Sequence, residues 1–263
     1  MNRLLLIAVL SLFTTLTLAT EVPEVVHAGM EKNTPENSSV QTIELRARDR
    51  SGYEQVLQAD TYWKRFPDGR SKILMQFQEP ADIRGARFLI VENTPENDMY
   101  MYIPGLFKVR KITSKRISSS ILGTDFSYED YERLHGVFTD LRAEQYPDEV
   151  LDGRPVYVIN SYPEGDSGYE KIMTYIDIET CVSLKTELFE RGHKLRKALT
   201  IDPADIKKEG NIHVPFKLLM RDLRDKTETR LVVQEIKADV TLDDALFDPK
   251  QLKEKKVPVK QTD

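Results

Sequence analysis

The chain has 263 residues, with 43 acidic and 38 basic side chains and a formal net charge of −5. That mild acidity gives no electrostatic footprint for nucleic acid, and a lone cysteine, Cys181, excludes an internal disulfide. The length suits one β-rich domain, or two small ones, with a sizeable core.

The N-terminus reads as an export signal. Arg3 precedes a mostly apolar run from Leu4 to Leu18, and Thr17 and Ala19 are the small residues of a cleavage site. A membrane anchor is the alternative, but Glu21, Pro23 and Glu24 end the run short of a span of about 20 apolar residues. Residues 1–19 are therefore expected to be a cleaved signal peptide, with Ala28 as a second cleavage position. No cysteine lies near either position, so a soluble periplasmic protein is expected rather than a lipoprotein. Residues 20–38 form a flexible or helical lead-in, 39–252 the β domain, and 253–263 a loose basic tail.

From residue 39 onward, period-two alternation dominates. Ile43, Leu45 and Ala47 alternate with polar or charged neighbours, as do Leu57, Ala59, Thr61 and Trp63 with Gln58, Asp60, Tyr62 and Lys64, and then Ile73, Met75 and Phe77 with Lys72, Gln76 and Gln78 after the turn Pro67-Asp68-Gly69. Such alternation marks strands with one apolar face, and a glycine-containing turn between two of them marks an antiparallel hairpin. Further strands are expected at 87–92, 99–103, 156–162, 169–177, 182–189, 194–201, 214–221 and 229–239. The total is about ten or eleven, joined by short connections into one strongly curved antiparallel sheet. Cys181 falls at one of these apolar strands, as a buried inert thiol.

Helices are few. Ser127-Tyr128-Glu129-Asp130 is a capping-box pattern that opens a helix over Tyr128 to Leu134, with Asp125 as an alternative cap and Gly136 as a stop. A second short helix is expected at Leu242 to Phe247. So little helix leaves the concave face to be filled by loops or by a ligand, as a half-open barrel, unless the strands form a packed sandwich. In-phase alternation places Leu57, Trp63, Met75, Phe77, Met99, Met101 and Ile103 toward the concavity, as lining of a binding cavity or as plain core. It turns Tyr62, Lys72, Gln76, Tyr100 and Tyr102 outward or toward the rim.

Chemistry-bearing motifs are sparse. The four histidines show no metal-ligand spacing, and neither a nucleophile elbow nor a phosphate-binding glycine loop is present. Nothing calls for a metal or a cofactor. Asp125, Glu129, Asp130 and Glu132 cluster at the central helix, where capping explains them better than glycan hydrolysis does. A non-enzymatic role is expected. Lys108, Arg110, Lys111, Lys115 and Arg116 form a basic cluster, suited either to docking an acidic partner or anionic headgroups or to guarding a strand edge.

Several segments carry a resemblance. Met101-Tyr-Ile-Pro104, Lys108-Val-Arg-Lys-Ile112 and Gly123-Thr-Asp-Phe-Ser-Tyr-Glu-Asp130 resemble the LolA-like family of outer-membrane lipoprotein-sorting proteins, as do residues 77–89 and 246–252. The resemblance spans nearly the whole mature chain, and 123–130 is its most specific block. It implies an incomplete β-barrel with a helical lid over an apolar cavity, a periplasmic location, and a carrier role for lipid or acylated protein. It also implies association with an RND-type exporter, either as a carrier working with it or as an accessory or scaffold subunit. A monomer is expected. No catalytic residues carry over. Gly123, Asp125, Phe126, Tyr128 and Asp130 are placed at a functional rim beside the cavity mouth, or alternatively as a cap on one end of the barrel.

Overall fold

The computed structural model describes residues 24–136 and 142–254. The expected signal peptide and most of the basic tail lie outside these residues. The lead-in contributes α1 (Glu24–Lys32), and the strands follow in order. The first six are β1 (Ser38–Arg48), β2 (Glu54–Arg65), β3 (Ser71–Glu79), β4 (Arg87–Val91), β5 (Asp98–Ile103) and β6 (Lys108–Ile112). The helix α2 (Tyr128–Leu134) separates them from β7 (Arg142–Leu151), β8 (Arg154–Tyr162), β9 (Lys171–Asp177), β10 (Ser183–Glu190) and β11 (Lys194–Thr200). The last are β12 (Ile206–Glu209), β13 (Ile212–Pro215), β14 (Lys217–Asp222) and β15 (Thr227–Ala238).

Thirteen strands form one antiparallel sheet in the order β6-β5-β4-β3-β2-β1-β15-β14-β11-β10-β9-β8-β7, and β12 with β13 makes a separate hairpin. The sheet is a half-open barrel: β6 and β7 are its two free edges and do not pair with each other. The strand count exceeds the expected ten or eleven because the two edges were not legible as strands. β6 reads Lys-Val-Arg-Lys-Ile, and β7 is exposed along most of its length, with Pro147 and a register shift between Tyr146 and Glu149. Charge, proline and bulges are what keep an edge from pairing with another chain, and they also erase the alternation that marks a strand.

Hairpin turns follow the local chemistry. At Pro67-Asp68-Gly69, the Asp68 carboxylate accepts from the Arg70 backbone N–H at 3.1 Å, and Gly69 takes φ +83°, a conformation that costs a residue with a Cβ. Cys181 departs from expectation. It lies in the turn between β9 and β10 with φ +56°, half-buried, and not within a strand. Its side chain packs on Gly29 of α1, where a Cβ would collide with the sulfur.

Antiparallel register sets the face of each side chain, because directly paired residues point the same way. One row runs Trp63–Ile73–Ile90–Met99–Ile112 across β2 to β6, and the next runs Thr61–Met75–Phe88–Met101–Arg110. These rows belong to the concave face and its large apolar cluster. The opposite face is not left wet. Tyr62, Leu74, Leu89 and Tyr102 form a second cluster with Leu242, Leu246, Phe247 and Leu252 of the C-terminal segment. Tyr62 and Tyr102 are therefore buried beneath that segment instead of standing free at a rim. The expected helix there consists of two 3-10 turns, Asp244–Phe247 and Pro249–Gln251, capped by Asp243 and Asp248. Arg87, itself buried, donates to the carbonyls of Leu252 and Glu254 at 2.8 Å and pins the segment's end.

Candidate functional site

The site is the segment between the two free edges. After β6 the chain turns over the concave face through a 3-10 turn at Ser114–Arg116, a bridge between Ser120 and Ser127, and α2. Four of its side chains, Ile121, Phe126, Tyr128 and Tyr131, are buried in the apolar cluster with the concave rows. Phe88 meets both tyrosines at an angle, tilted to Tyr128 with ring centroids 4.9 Å apart and edge-on to Tyr131 at 5.9 Å. The Tyr131 hydroxyl, buried to the point that its pKa is pushed up, meets Thr61 Oγ1 of β2 at 2.9 Å. In this conformation the concavity is occupied by the protein's own plug.

Polar groups hold the plug at the other half of the sheet, and the block 123–130 supplies most of them. Gly123 takes φ +83°, with a Cβ position 3.2 Å from Gln55 Oε1, so glycine is the residue the turn accepts. The Asp125 carboxylate accepts from the hydroxyls of Thr227 and Thr229 on β15, the latter at 2.6 Å. Burial pushes its pKa up against those bonds. Ser127 caps α2: its hydroxyl accepts from Asp130 N at 3.1 Å, and Asp130 Oδ2 accepts from Ser127 N at 2.8 Å. Asp130 also accepts from Tyr169 Oη and from Lys197 Nζ of β11, both at 2.7 Å. The same ammonium donates to the Asp125 carbonyl at 2.7 Å. Glu129 accepts from the Ser167 hydroxyl and, at 2.9 Å, from Gly168 N, with burial again raising its pKa.

These bonds account for the carboxylate cluster. Glu129, Asp130 and Glu132 are buried, and Glu132 accepts from Asn97. Asp125 alone of the four lines a cleft of about 630 Å³ at this end of the barrel. Part of the cleft's charged lining is mutually paired: Arg196 contacts Asp222 at 2.5 Å and Asp225 at 2.9 Å, and Arg224 contacts Glu190 at 3.0 Å. None of the seven expected cavity residues lines it. Among the described residues no group of three or more His, Cys, Asp or Glu side chains is arranged to hold a metal.

Three solved structures share this architecture. A domain from Vibrio parahaemolyticus named as an outer membrane lipoprotein-sorting protein superposes with a TM-score of 0.80 at 23% identity, covering 88% of this chain and 97% of its own. A DUF1329 family protein from Desulfovibrio piger gives 0.80 at 22%, covering 87% and 96%. A LolA superfamily protein from Nitrosomonas europaea gives 0.68 at 17%, covering 85% and 96%. No curated relative matches the sequence. A family model described as "Uncharacterized protein" matches residues 69–254. The chain belongs to the family of that model, and its fold is LolA-like.

Within the LolA-like barrel, Leu57, Trp63, Met75, Phe77, Met99 and Met101 are buried together on the concave face, and Ile103 packs half-buried against them. All seven lie under or beside the plug. Gly123, Asp125, Phe126, Tyr128 and Asp130 are brought together as the plug's own body and fastening. Phe126 and Tyr128 point into the core and Asp125 and Asp130 into the polar end, and Ser127, not Asp125, is the cap. The basic residues divide. Lys111 pairs with Asp98, whereas Lys108, Arg110, Lys115 and Arg116 are exposed. Sequence reasoning missed Lys197, Tyr169, Thr227 and Thr229, which receive the plug. Lys197 sits mid-strand in β11 among charged neighbours, so only the register with β14 and the approach of α2 single it out.

Proposed function

We propose that this protein is a periplasmic carrier that receives an acyl chain, from a lipid or an acylated protein, on the concave face of the barrel when the 113–136 segment is displaced. One observation carries the reading: the apolar wall is covered not by a layer of regular structure but by the single connection between the sheet's two unpaired edges. Among the described residues that connection buries four large apolar side chains, with Ile117, Leu122 and Leu134 packed half-buried beside them, and is fastened at its far end by a few buried polar bonds. An acyl chain offers the wall the same apolar contact that Ile121, Phe126, Tyr128 and Tyr131 provide, so exchange of one for the other costs little hydrophobic burial. The likeness to a domain named for lipoprotein sorting supports the same reading. In this reading residues 1–19 direct export, the 39–252 domain acts as a monomer, and an RND-type inner-membrane transporter supplies or consumes the cargo.

The second reading is an accessory or scaffold subunit of such an exporter, favoured by the fact that the concavity is filled. Native mass spectrometry of protein recovered from its own envelope, with lipid extraction, separates the two. The carrier should bring down an acylated molecule, and hydrogen exchange of amides 121–134 should quicken when it is bound. No bound lipid, together with unaltered exchange on addition of a lysophospholipid, refutes the carrier.

A further inference from the structure

We propose that the β5–β6 hairpin tip is a bilayer-docking finger that inserts Leu106 and Phe107 into the interface of an anionic membrane. Phe107 is 84% exposed and Leu106 52%, the former the most exposed of the large apolar side chains among the described residues. They follow Pro104 in a 3-10 turn, and Phe107 closes it with φ +48°. That backbone conformation favours glycine or asparagine, so a phenylalanine here bears both strain and exposure and returns no folding energy. Both side chains stand in solvent on a turn where Gly105 also has open space beside it, which suits a fluid apolar phase better than a shaped protein pocket.

Charge complementarity selects the partner. Lys108 and Arg110 follow the tip directly on the free edge β6, paired in register with Ile103 and Met101, so both stand on the concave side of the sheet at its open margin. Lys115 and Arg116 continue the row on the next turn. All four are exposed, and among the described residues none makes an ion pair, in contrast to Lys111 and the cations of the polar cleft. The adjoining β3–β4 turn, which meets the finger where Gly85 lies beside Pro104, carries one exposed carboxylate, Asp82, and its Arg84 is paired with Glu79. Apolar anchors flanked by unpaired cations are the composition that binds an anionic interface. The finger would also hold the margin of the barrel from which the plug departs against the membrane. The docking itself does not depend on the carrier reading.

The test places a reporter in the finger. The whole chain carrying Phe107→Trp is recovered from the envelope and mixed with vesicles of phosphatidylcholine containing about 30% phosphatidylglycerol. The native Trp63 is buried and supplies the unchanging background. The emission of the new indole should shift to the blue and be quenched by lipids brominated on the acyl chain, with much weaker binding to pure phosphatidylcholine. Replacing Lys108 and Arg110 with serine should weaken binding about fivefold for each cation, and added salt should do the same. Leu106→Ser with Phe107→Ser should abolish it with an unchanged melting curve. Absence of a shift on anionic vesicles, or equal binding to neutral ones, overturns the proposal, and a blue shift seen only with a protein partner does so too. Lipid bound in the barrel is read separately by mass spectrometry and should survive the serine variants.

Discussion

The fastening of the plug makes a quantitative prediction at Lys197. Its ammonium and the Asp130 carboxylate are nearly sealed from solvent, with side-chain exposures of 9% and 1%, and lie 2.7 Å apart. Lys197→Met keeps the aliphatic stem but leaves Asp130 charged and buried, with Ser127 N and Tyr169 Oη as its remaining donors, and leaves the Asp125 carbonyl without its donor. Removing one partner of a buried pair costs about 3–5 kcal/mol, and the surviving donors put the expected loss near the lower bound, about 3 kcal/mol. Adding Asp130→Asn removes the stranded charge and should recover about 2 kcal/mol of it, so the cycle should be strongly non-additive. Urea unfolding measures the total, and hydrogen exchange locates it. If the plug opens as a unit, amides 121–134 should exchange about 100-fold faster in Lys197→Met, and in both proteins their free energy of exchange should stay below that of the β1–β2 amides, which exchange only on global unfolding. A loss below about 0.5 kcal/mol, as for an exposed pair, would refute the account of the latch. Equal free energies of exchange for the plug and for β1–β2 in the native chain would refute its independence from the barrel.

Two other outcomes are open to measurement. Gly29→Ala should destabilise the protein by about 1–3 kcal/mol by driving a methyl into Cys181, and Cys181→Gly, which also suits φ +56°, should restore most of the melting temperature. His135 closes α2 with its Nδ1 2.9 Å from the Tyr131 carbonyl, and burial pushes its pKa down to about 4. Its folded pKa lies below the unfolded value of 6.5, so the stability it contributes is present above pH 6.5 and is lost as pH falls toward 4. The loss is at most about 3 kcal/mol, and less because the ring keeps part of its surface in water. Asp125 and Glu129, whose pKa values are raised, act with the opposite sign over the acid range, so the comparison is best made between the native chain and His135→Gln. The gap between their stabilities should change across pH 6.5 to 4, and parallel curves would sink the assignment.

Alternation along β2, β3 and β5 is strong enough to be read directly, because Leu57, Trp63, Met75, Phe77, Met99 and Met101 alternate with polar or amphipathic residues and the sheet buries them on one side. The capping box at Ser127 and Asp130 is equally local, and its bonds are those its spacing demands. What alternation does not carry is the identity of the neighbour. That β15 returns to lie beside β1, or that the C-terminal 3-10 turns seal Tyr62 and Tyr102 on the outer face, depends on pairings made across the whole chain. A tyrosine in strand phase reads as outward because its hydroxyl tolerates water, and only the segment that covers it decides otherwise. The site was legible as a block of unusual residues, 123–130. Its receivers on β11, β15 and the 167–169 loop were not, since each is an ordinary Lys, Thr, Ser or Tyr until α2 arrives.

The connection that fills the barrel begins at Ile112 on one free margin and rejoins the sheet at Arg142 on the other. Its described part, 113–136, is continuous with β6 at one end and fastened through Asp125 to β15 and through Asp130 to β11. Displacing it breaks that fastening and pulls on β6 together, so the position of the segment and the setting of the β6 edge are coupled. Reciprocity then follows: whatever grips β6 from outside biases what can enter the barrel, and whatever enters changes how β6 is offered to the outside, by the same free energy.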